Sequence, residues 1–395
     1  MKKVSVFVTI VLGALTAFGP FLTDFYLPAM PELADYFKTS PSAVSSSLTA
    51  SMIGLAGGQF LIGPLSDKYG RKNLLVLSML LFCIASVFCI YATSIEMFNL
   101  MRVLQGVAGA GGVVLSKSIA TDMFTGEPLA RFLALLGAIN GVAPITAPII
   151  GGVMTNFTSW KGIFCLLLVL GIILLWSTMR FTETLPAASR MKGSLFGAYS
   201  KLFSVFRNNM FCLSTVAMMC SFFTFFAYIS ASPFVFQQVY QLSAFEYSVC
   251  FGLNAFFIAI GAMLSSKFHH YNTALKWGAI DFAISAALVA LCQALAVPLA
   301  ILMPCYIYML LSFGLMQPVS MAIAMDSERK NAGAASAVFG ASSFVAGAVV
   351  SPLVTLGNVM NTSAIVMVIG AILCLAFTLP LCAIVKRTQM AQLHS

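Results

Sequence analysis

Gly63-Pro64-Leu65-Ser66-Asp67-Lys68-Tyr69-Gly70-Arg71-Lys72 is the stretch whose reading decides the fold. It is a short, charged, glycine-punctuated loop between two long uncharged segments. Charged residues make up 8% of the 395-residue chain, so the cluster of Asp67, Lys68, Arg71 and Lys72 marks a place where the chain leaves an apolar medium. Hydrophobic residues make up 60%, and the mean hydropathy is +0.97. Soluble domains have about 45–50% apolar and about 25% charged residues. There is too little polar surface here to cover a water-soluble fold, so the sequence predicts an integral membrane protein.

Outward from that loop, the charged positions divide the chain into uncharged runs. A spanning helix needs about 20 apolar residues, and the runs 282–325 and 331–385 are each long enough for two. The pattern predicts 12 spans, over 5–27, 44–66, 74–92, 96–117, 132–154, 162–180, 210–231, 246–266, 276–294, 299–322, 332–356 and 363–384. No stretch alternates apolar and polar residues in the manner of a β-barrel strand. Met1-Lys2-Lys3 and the apolar run behind it read as an uncleaved first helix rather than a leader. The fold class expected is all-α integral membrane, with two six-helix bundles. Residues 1–180 form the first, 181–209 a basic cytoplasmic linker and 210–395 the second.

Basic residues orient such a chain, because loops rich in Lys and Arg stay in the cytoplasm. With an even number of spans both termini share a side. Of the 21 basic residues, all but Lys38, Lys161 and Arg102 then fall on that side. A missed helix would scramble this asymmetry. The net charge of +9 is therefore topological, and nucleic acid is not an expected partner. The ten cysteines all fall within spans without a Cys-x-x-Cys pair, and read as small apolar packing residues rather than disulfide or metal ligands. His269-His270 reads as a polar loop.

Ionisable groups inside a bilayer are costly, and each is a functional candidate. Asp24 lies three residues from the expected end of span one. Arg102 lies about six residues into span four, roughly 9 Å deep at the helical rise. Both sit toward the outer leaflet, so they are expected to pair if the helices adjoin. In that pairing Asp24 would bind or release a proton as water access changes. The plainer readings are an outer-end cap for Asp24 and a tie to backbone carbonyls for Arg102. Asp281 reads as a snorkelling residue or a partner of Lys276.

In the opening loop, Asp67 is positioned to accept from the N-terminus of a neighbouring helix and Arg71 to pair with Asp122, links that would hold the inner side shut. Pro144 and Pro148, followed by Gly151 and Gly152, give span five a kink and a closely packed face suited to a hinge or seal. Glycine runs on spans two, four, five and eleven allow close helix approach. No Ser/His/Asp set, phosphate-binding loop or metal-ligand cluster occurs, so the sequence does not read as an enzyme or an ATP-driven pump.

These motifs resemble those of the major facilitator superfamily. Gly63 to Leu74 is similar to its cytoplasmic loop signature. Leu100-Met101-Arg102-Val103-Leu104-Gln105-Gly106 is similar to its span-four R-x-x-Q-G motif. Ala147-Pro148-Ile149-Ile150-Gly151-Gly152 resembles the antiporter motif of span five, with alanine in place of the first glycine. Thr23-Asp24-Phe25-Tyr26-Leu27-Pro28-Ala29-Met30-Pro31 resembles span one of the Bcr/CflA drug-resistance subfamily, as do Trp160 to Phe164 and Glu183-Thr184-Leu185. The resemblance implies proton-driven export of drugs or metabolites by alternating access. It assigns proton coupling to Asp24 beside Arg102 and inner closure to Asp67, Arg71 and Asp122.

The expected protein is thus a proton-coupled exporter of amphipathic small molecules in the bacterial inner membrane, with both termini cytoplasmic. It needs no cofactor beyond the proton as coupling ion. Its partners are the small-molecule substrate and the lipid bilayer, and it acts as a monomer. A cavity between the halves is expected to use Tyr26, Gln59, Asn140, Tyr228, Asn254 and Gln317, chosen for polarity at mid-span. The alternative is an exporter of one metabolite, an amino acid or a sugar.

Overall fold

The computed structural model describes residues 6–268 and 271–393. Lys2, Lys3 and the His269-His270 pair lie outside the described residues. Among those described, the chain is helical throughout with no strand: α1 (Val6–Thr16), α2 (Phe18–Asp24), α3 (Met30–Phe37), α4 (Pro41–Tyr69), α5 (Arg71–Ile90), α6 (Ile95–Met123), α7 (Gly126–Met154), α8 (Trp160–Met179), α9 (Leu195–Ser204), α10 (Asn209–Phe234), α11 (Ala244–Ser265), α12 (Tyr271–Ala294), α13 (Leu299–Ser327), α14 (Ala332–Val350) and α15 (Val359–Leu393).

Eleven of these helices are long and apolar enough to cross a membrane, and a bent pair makes the twelfth span. That pair, Val6–Thr16 with Phe18–Phe37, turns by 42°. Pro20 supplies the cause: it has no N–H to donate to the carbonyl of Thr16, and its ring crowds that carbonyl. The first span is thus broken, where the sequence predicts one continuous helix over 5–27. After α2 a short 3₁₀ turn, Leu27–Ala29, carries the chain into α3, with Pro28 and Pro31 in first-turn positions where the missing N–H costs nothing. At the other end α15 runs on to Leu393, beyond the expected stop at 384.

The helices gather into two compact units. One comprises Met1–Tyr199 with Leu242–Gly252, the other Ser200–Gln241 with Leu253–Ser395. The expected linker is therefore divided, its first part folding with the first unit. The opening turns of α11, expected in the second bundle, also belong to the first. Large apolar side chains stay exposed along the outer faces of the helices, among them Ile84, Phe88, Ile172, Trp176, Ile369 and Ile372. Such faces suit lipid, which does not penalise them as water does.

Within the first unit, α4 and α6 cross at Gly54, Gly58 and Gly106. A Cβ added at any of them would meet the backbone of the other helix at or below 3.0 Å. Close packing through small residues is what associates helices once no hydrophobic effect operates between them. Gly57, Gly63, Gly137 and Gly141 have nothing within 4 Å of an added Cβ, so only part of each glycine run serves such a crossing.

Candidate functional site

Asp24 is the last residue of α2 and is 5% exposed. Its hydrogen-bond partner is its own neighbour, as Thr23 Oγ1 donates to Asp24 Oδ1 at 2.7 Å. Among the described residues no Lys or Arg forms an ion pair with this buried carboxylate.

Arg102, fully buried on α6, does not form the expected ion pair with Asp24. Its fork is committed elsewhere. Nη2 donates to the backbone carbonyl of Leu22 at 2.8 Å and to Ser51 Oγ at 3.1 Å, and Nη1 donates to Gln105 Oε1 at 2.6 Å. The guanidinium also lies 4.4 Å from the ring centre of Tyr26 and 5.6 Å from that of Phe164. The physical reason lies in the helix end. The helix α2 stops at Asp24, so the Leu22 carbonyl is one of the last-turn acceptors with no intrahelical donor. A buried carbonyl in that state needs a donor, and Arg102 is the one available. Gln105 is held in turn, its Nε2 donating to Ser86 Oγ at 2.8 Å. The network thereby ties α2, α4, α5 and α6 together two residues before Asp24.

On its other side Asp24 is flanked by α7. A Cβ added to Gly151 would collide with the carbonyl oxygen of Phe25, the residue after Asp24. Gly152 faces Ser248 and the carbonyl of Ala244 at the start of α11, where a Cβ would again collide. Pro148 lies one turn earlier in the same helix. An apolar groove of about 290 Å³ opens between the first span and α7, lined by Ala17, Phe21, Ala138, Ile139, Val142, Ala143 and Thr146.

At the opposite end of the first unit, Arg71 gathers the charged loop. It pairs with Asp67 one turn earlier and, through Nε, with Asp122 Oδ2 at 3.1 Å, and Nη1 donates to Ser66 Oγ at 2.6 Å. The expected Arg71–Asp122 link is present. Asp67, expected to accept from the N-terminus of a neighbouring helix, has Arg71 as its partner instead. Glu183 takes that role: its Oε1 accepts from the backbone N–H of Arg71 at 3.0 Å, capping α5. The same oxygen accepts from the N–H of Leu185, and Oε2 pairs with Arg190 at 3.5 Å. Thr184 Oγ1 donates to Asp122, and Met191 N–H to the carbonyl of Asp67. Gly70 joins α4 to α5 at φ 98° and ψ 151°, a conformation essentially confined to glycine, and a Cβ there would strike Glu183. The part of the chain read as linker is thus the clasp of the loop. Its signal in the sequence was the Glu183-Thr184-Leu185 motif, to which spacing alone gave no partner.

The six mid-span polar residues divide between the two units, Tyr26, Gln59 and Asn140 in the first and Tyr228, Asn254 and Gln317 in the second. Tyr26 is buried beneath Arg102, with its hydroxyl 3.1 Å from Ser47 Oγ. Gln59 is buried on α4 and Asn140 is exposed on α7. In the second unit Asn254 Nδ2 donates to Tyr228 Oη at 2.7 Å, both fully buried, and the Tyr228 ring packs 5.0 Å from that of Tyr306. Gln317 Nε2 donates to Ser221 Oγ at 3.2 Å. Asp281 accepts from Tyr308 Oη at 3.1 Å rather than pairing with Lys276. Among the described residues no group of His, Cys, Asp and Glu side chains could hold a metal ion.

A chain built this way belongs among the multi-pass membrane transporters. Its family is the Major Facilitator Superfamily, whose model matches residues 9–352. The chain is 34% identical over 368 residues to the uncharacterized MFS-type transporter YdgK of Bacillus subtilis, covering 92% of this chain and 90% of that one. It is 28% identical to a bicyclomycin resistance protein homolog of Haemophilus influenzae, covering 68% and 67% of the two chains. Over 57% of its length it is 28% identical to the multidrug transporter MdfA of Yersinia pestis, covering 55% of that protein. Among solved structures, the xylose transporter XylE from E. coli in a partially occluded, inward-open conformation superposes with a TM-score of 0.73 over 94% of this chain and 96% of that one, at 16% identity. That likeness speaks for the fold alone. Relatives named for bicyclomycin resistance and multidrug transport are thus among the proteins this chain is similar to, in keeping with the resemblance of its span-one motif to the Bcr/CflA subfamily.

Proposed function

We propose that this transporter exports drugs and other amphipathic small molecules in exchange for protons, with Asp24 as the proton-binding group. The observation that carries the reading is the isolation of the Asp24 carboxylate. It is buried, hydrogen-bonded to Thr23 and left without the guanidinium that lies two residues away on the Leu22 carbonyl. A carboxylate so placed is stabilised by a proton or by a cationic substrate, and exchange of one for the other is the elementary step of antiport. Arg102 acts as the positioning residue, since it fixes the end of α2 and with it the depth of Asp24. The relatives named for bicyclomycin resistance and multidrug transport support drugs as the substrate class.

The transporter works in the bacterial inner membrane as a monomer, with both termini in the cytoplasm and the proton as its sole cofactor. The one-sided distribution of Lys and Arg supports this orientation. It catalyses no covalent chemistry. The clasp of Arg71, Asp67, Asp122 and Glu183 closes the inner side, and Pro148, Gly151 and Gly152 hold the span-five contact beside Asp24. Tyr228, Asn254 and Gln317 contribute polar contacts to the substrate.

Purified protein in proteoliposomes with an imposed pH gradient tests the reading. Uptake of a lipophilic drug against its gradient is expected, abolished when a protonophore collapses the pH difference. Uptake that persists after collapse would rule out proton coupling. Protection of cells against a chemically diverse drug panel is expected; protection against none would favour a single native metabolite.

A further inference from the structure

Spacing along the chain gave no reason to pair any cysteines, yet the structure places two side by side. Cys292 and Cys305 lie 3.6 Å apart, sulfur to sulfur. Cys292 is two residues from the end of α12, and Cys305 is six residues past the first residue of α13. They face one another across the hairpin closed by Leu295, Ala296, Val297 and Pro298. Both are free thiols of intermediate exposure, and among the described residues no other two cysteine sulfurs come within hydrogen-bonding distance of each other.

The next residue of each helix explains why the thiols stay opposed. Gln293 Nε2 donates to Tyr306 Oη at 3.1 Å and to Ser363 Oγ at 3.2 Å, with both Gln293 and Tyr306 buried. This bond pins the register of α12 against α13 from the inside of the unit. The two thiols, one position earlier on each helix, are left together on the more open side. Tyr240 Oη donates to the carbonyl of Val297 at 2.7 Å and anchors the loop as well.

We infer that Cys292 and Cys305 form an oxidisable dithiol that closes to a disulfide across the α12–α13 hairpin. The oxidant is a second disulfide, either a small molecule such as glutathione disulfide or a protein dithiol oxidase. One thiolate attacks a sulfur of that oxidant, forms a mixed disulfide and releases one thiol. The other thiolate then attacks the mixed disulfide, forms the Cys292–Cys305 bond and releases the second thiol. Two protons leave the protein, and its two electrons reduce the oxidant. On the orientation proposed above, this loop faces the outside, where disulfides persist.

The test uses the full chain purified in detergent, treated with glutathione disulfide and followed by intact mass, maleimide labelling and peptide mapping. The expected result is a loss of two hydrogen atoms, joint disappearance of Cys292 and Cys305 from labelling, and a cross-linked peptide joining them. Cys292→Ser and Cys305→Ser should each stop at the mixed adduct or fail to react. Gln293→Leu should slow closure, because the register bond is gone; an unchanged rate would remove Gln293 from the account. A stable glutathione adduct on wild-type protein, closure onto another cysteine, or two unreactive thiols would each overturn the dithiol. Maleimide trapping in intact cells separates the orientation: closure in detergent with both thiols reduced in cells would place the loop in the cytoplasm and leave the dithiol standing.

Discussion

Arg102 on α6 donates to the backbone carbonyl of Leu22 on α2, two residues before Asp24, at 2.8 Å. The guanidinium completes a helix end rather than neutralising a carboxylate. This separates two residues that the sequence pairs: Arg102 determines where the end of α2 sits, and Asp24 is left with Thr23 as its hydrogen-bond partner.

Replacing Arg102 with Met therefore strands the Leu22 carbonyl and Gln105 Oε1 in a buried site, while Ser51 Oγ keeps its bond to the Leu48 carbonyl. Each buried group left unpaired costs about 1–3 kcal/mol. The expected outcome is a lowered melting temperature in detergent together with loss of transport. Arg102→Lys should recover part of the stability, since one ammonium can reach the carbonyl but cannot reproduce the fork.

Asp24→Asn keeps shape and hydrogen-bonding capacity while removing the titratable group. Its melting temperature should stay near that of wild type, and drug-induced proton release from the purified protein should vanish. Substrate binding measured by fluorescence should lose its pH dependence. Retained proton release on drug addition would assign the coupling to another group.

Gly151 and Gly152 make close contacts that Gly137, on the same helix, does not. Gly151→Ala must displace the backbone at Phe25, beside Asp24, and Gly152→Ala must displace Ser248. Overpacking of this kind costs about 1–3 kcal/mol. Both variants should lose stability and transport, whereas Gly137→Ala should leave both unchanged. Thermal melts and the proteoliposome assay on the three variants decide the point.

Glu183→Ala removes the cap from α5 and the partner of Arg190, and a lost cap costs about 0.5–2 kcal/mol. Gly70→Ala carries two penalties, a backbone conformation costing about 1–3 kcal/mol and the collision with Glu183. In the Glu183→Ala background the collision with Glu183 is gone, leaving the backbone penalty and a contact with the flexible end of Arg190. The two substitutions should therefore be less than additive when compared in a double-mutant cycle by thermal melting.

Much of this molecule is legible in the one-dimensional chain. The apolar runs set the number of spans, because a bilayer admits few ways to satisfy the backbone. The loop around Asp67 and Arg71 announced its partner Asp122, since charges are so scarce here that few pairings exist. The scarcity that made the spans readable made the site harder to read. With one acid and one base inside the same leaflet, the sequence pairs Asp24 with Arg102 directly. What it does not display is the unsatisfied carbonyl of Leu22, created by a helix ending at Asp24 and competing for the same guanidinium.

Composition and spacing alone determined that this is a twelve-span helical membrane protein with a charged loop at one end and a lone acid in its first span. Those features follow from the chain's own length, hydropathy and scarcity of charge. Only the tertiary structure decided that Glu183 caps α5, that Gly151 abuts Phe25, and that Cys292 meets Cys305. Each depends on how two helices distant in sequence are registered against one another, and helix packing sets that register through side-chain shape and buried hydrogen bonds that no local pattern encodes.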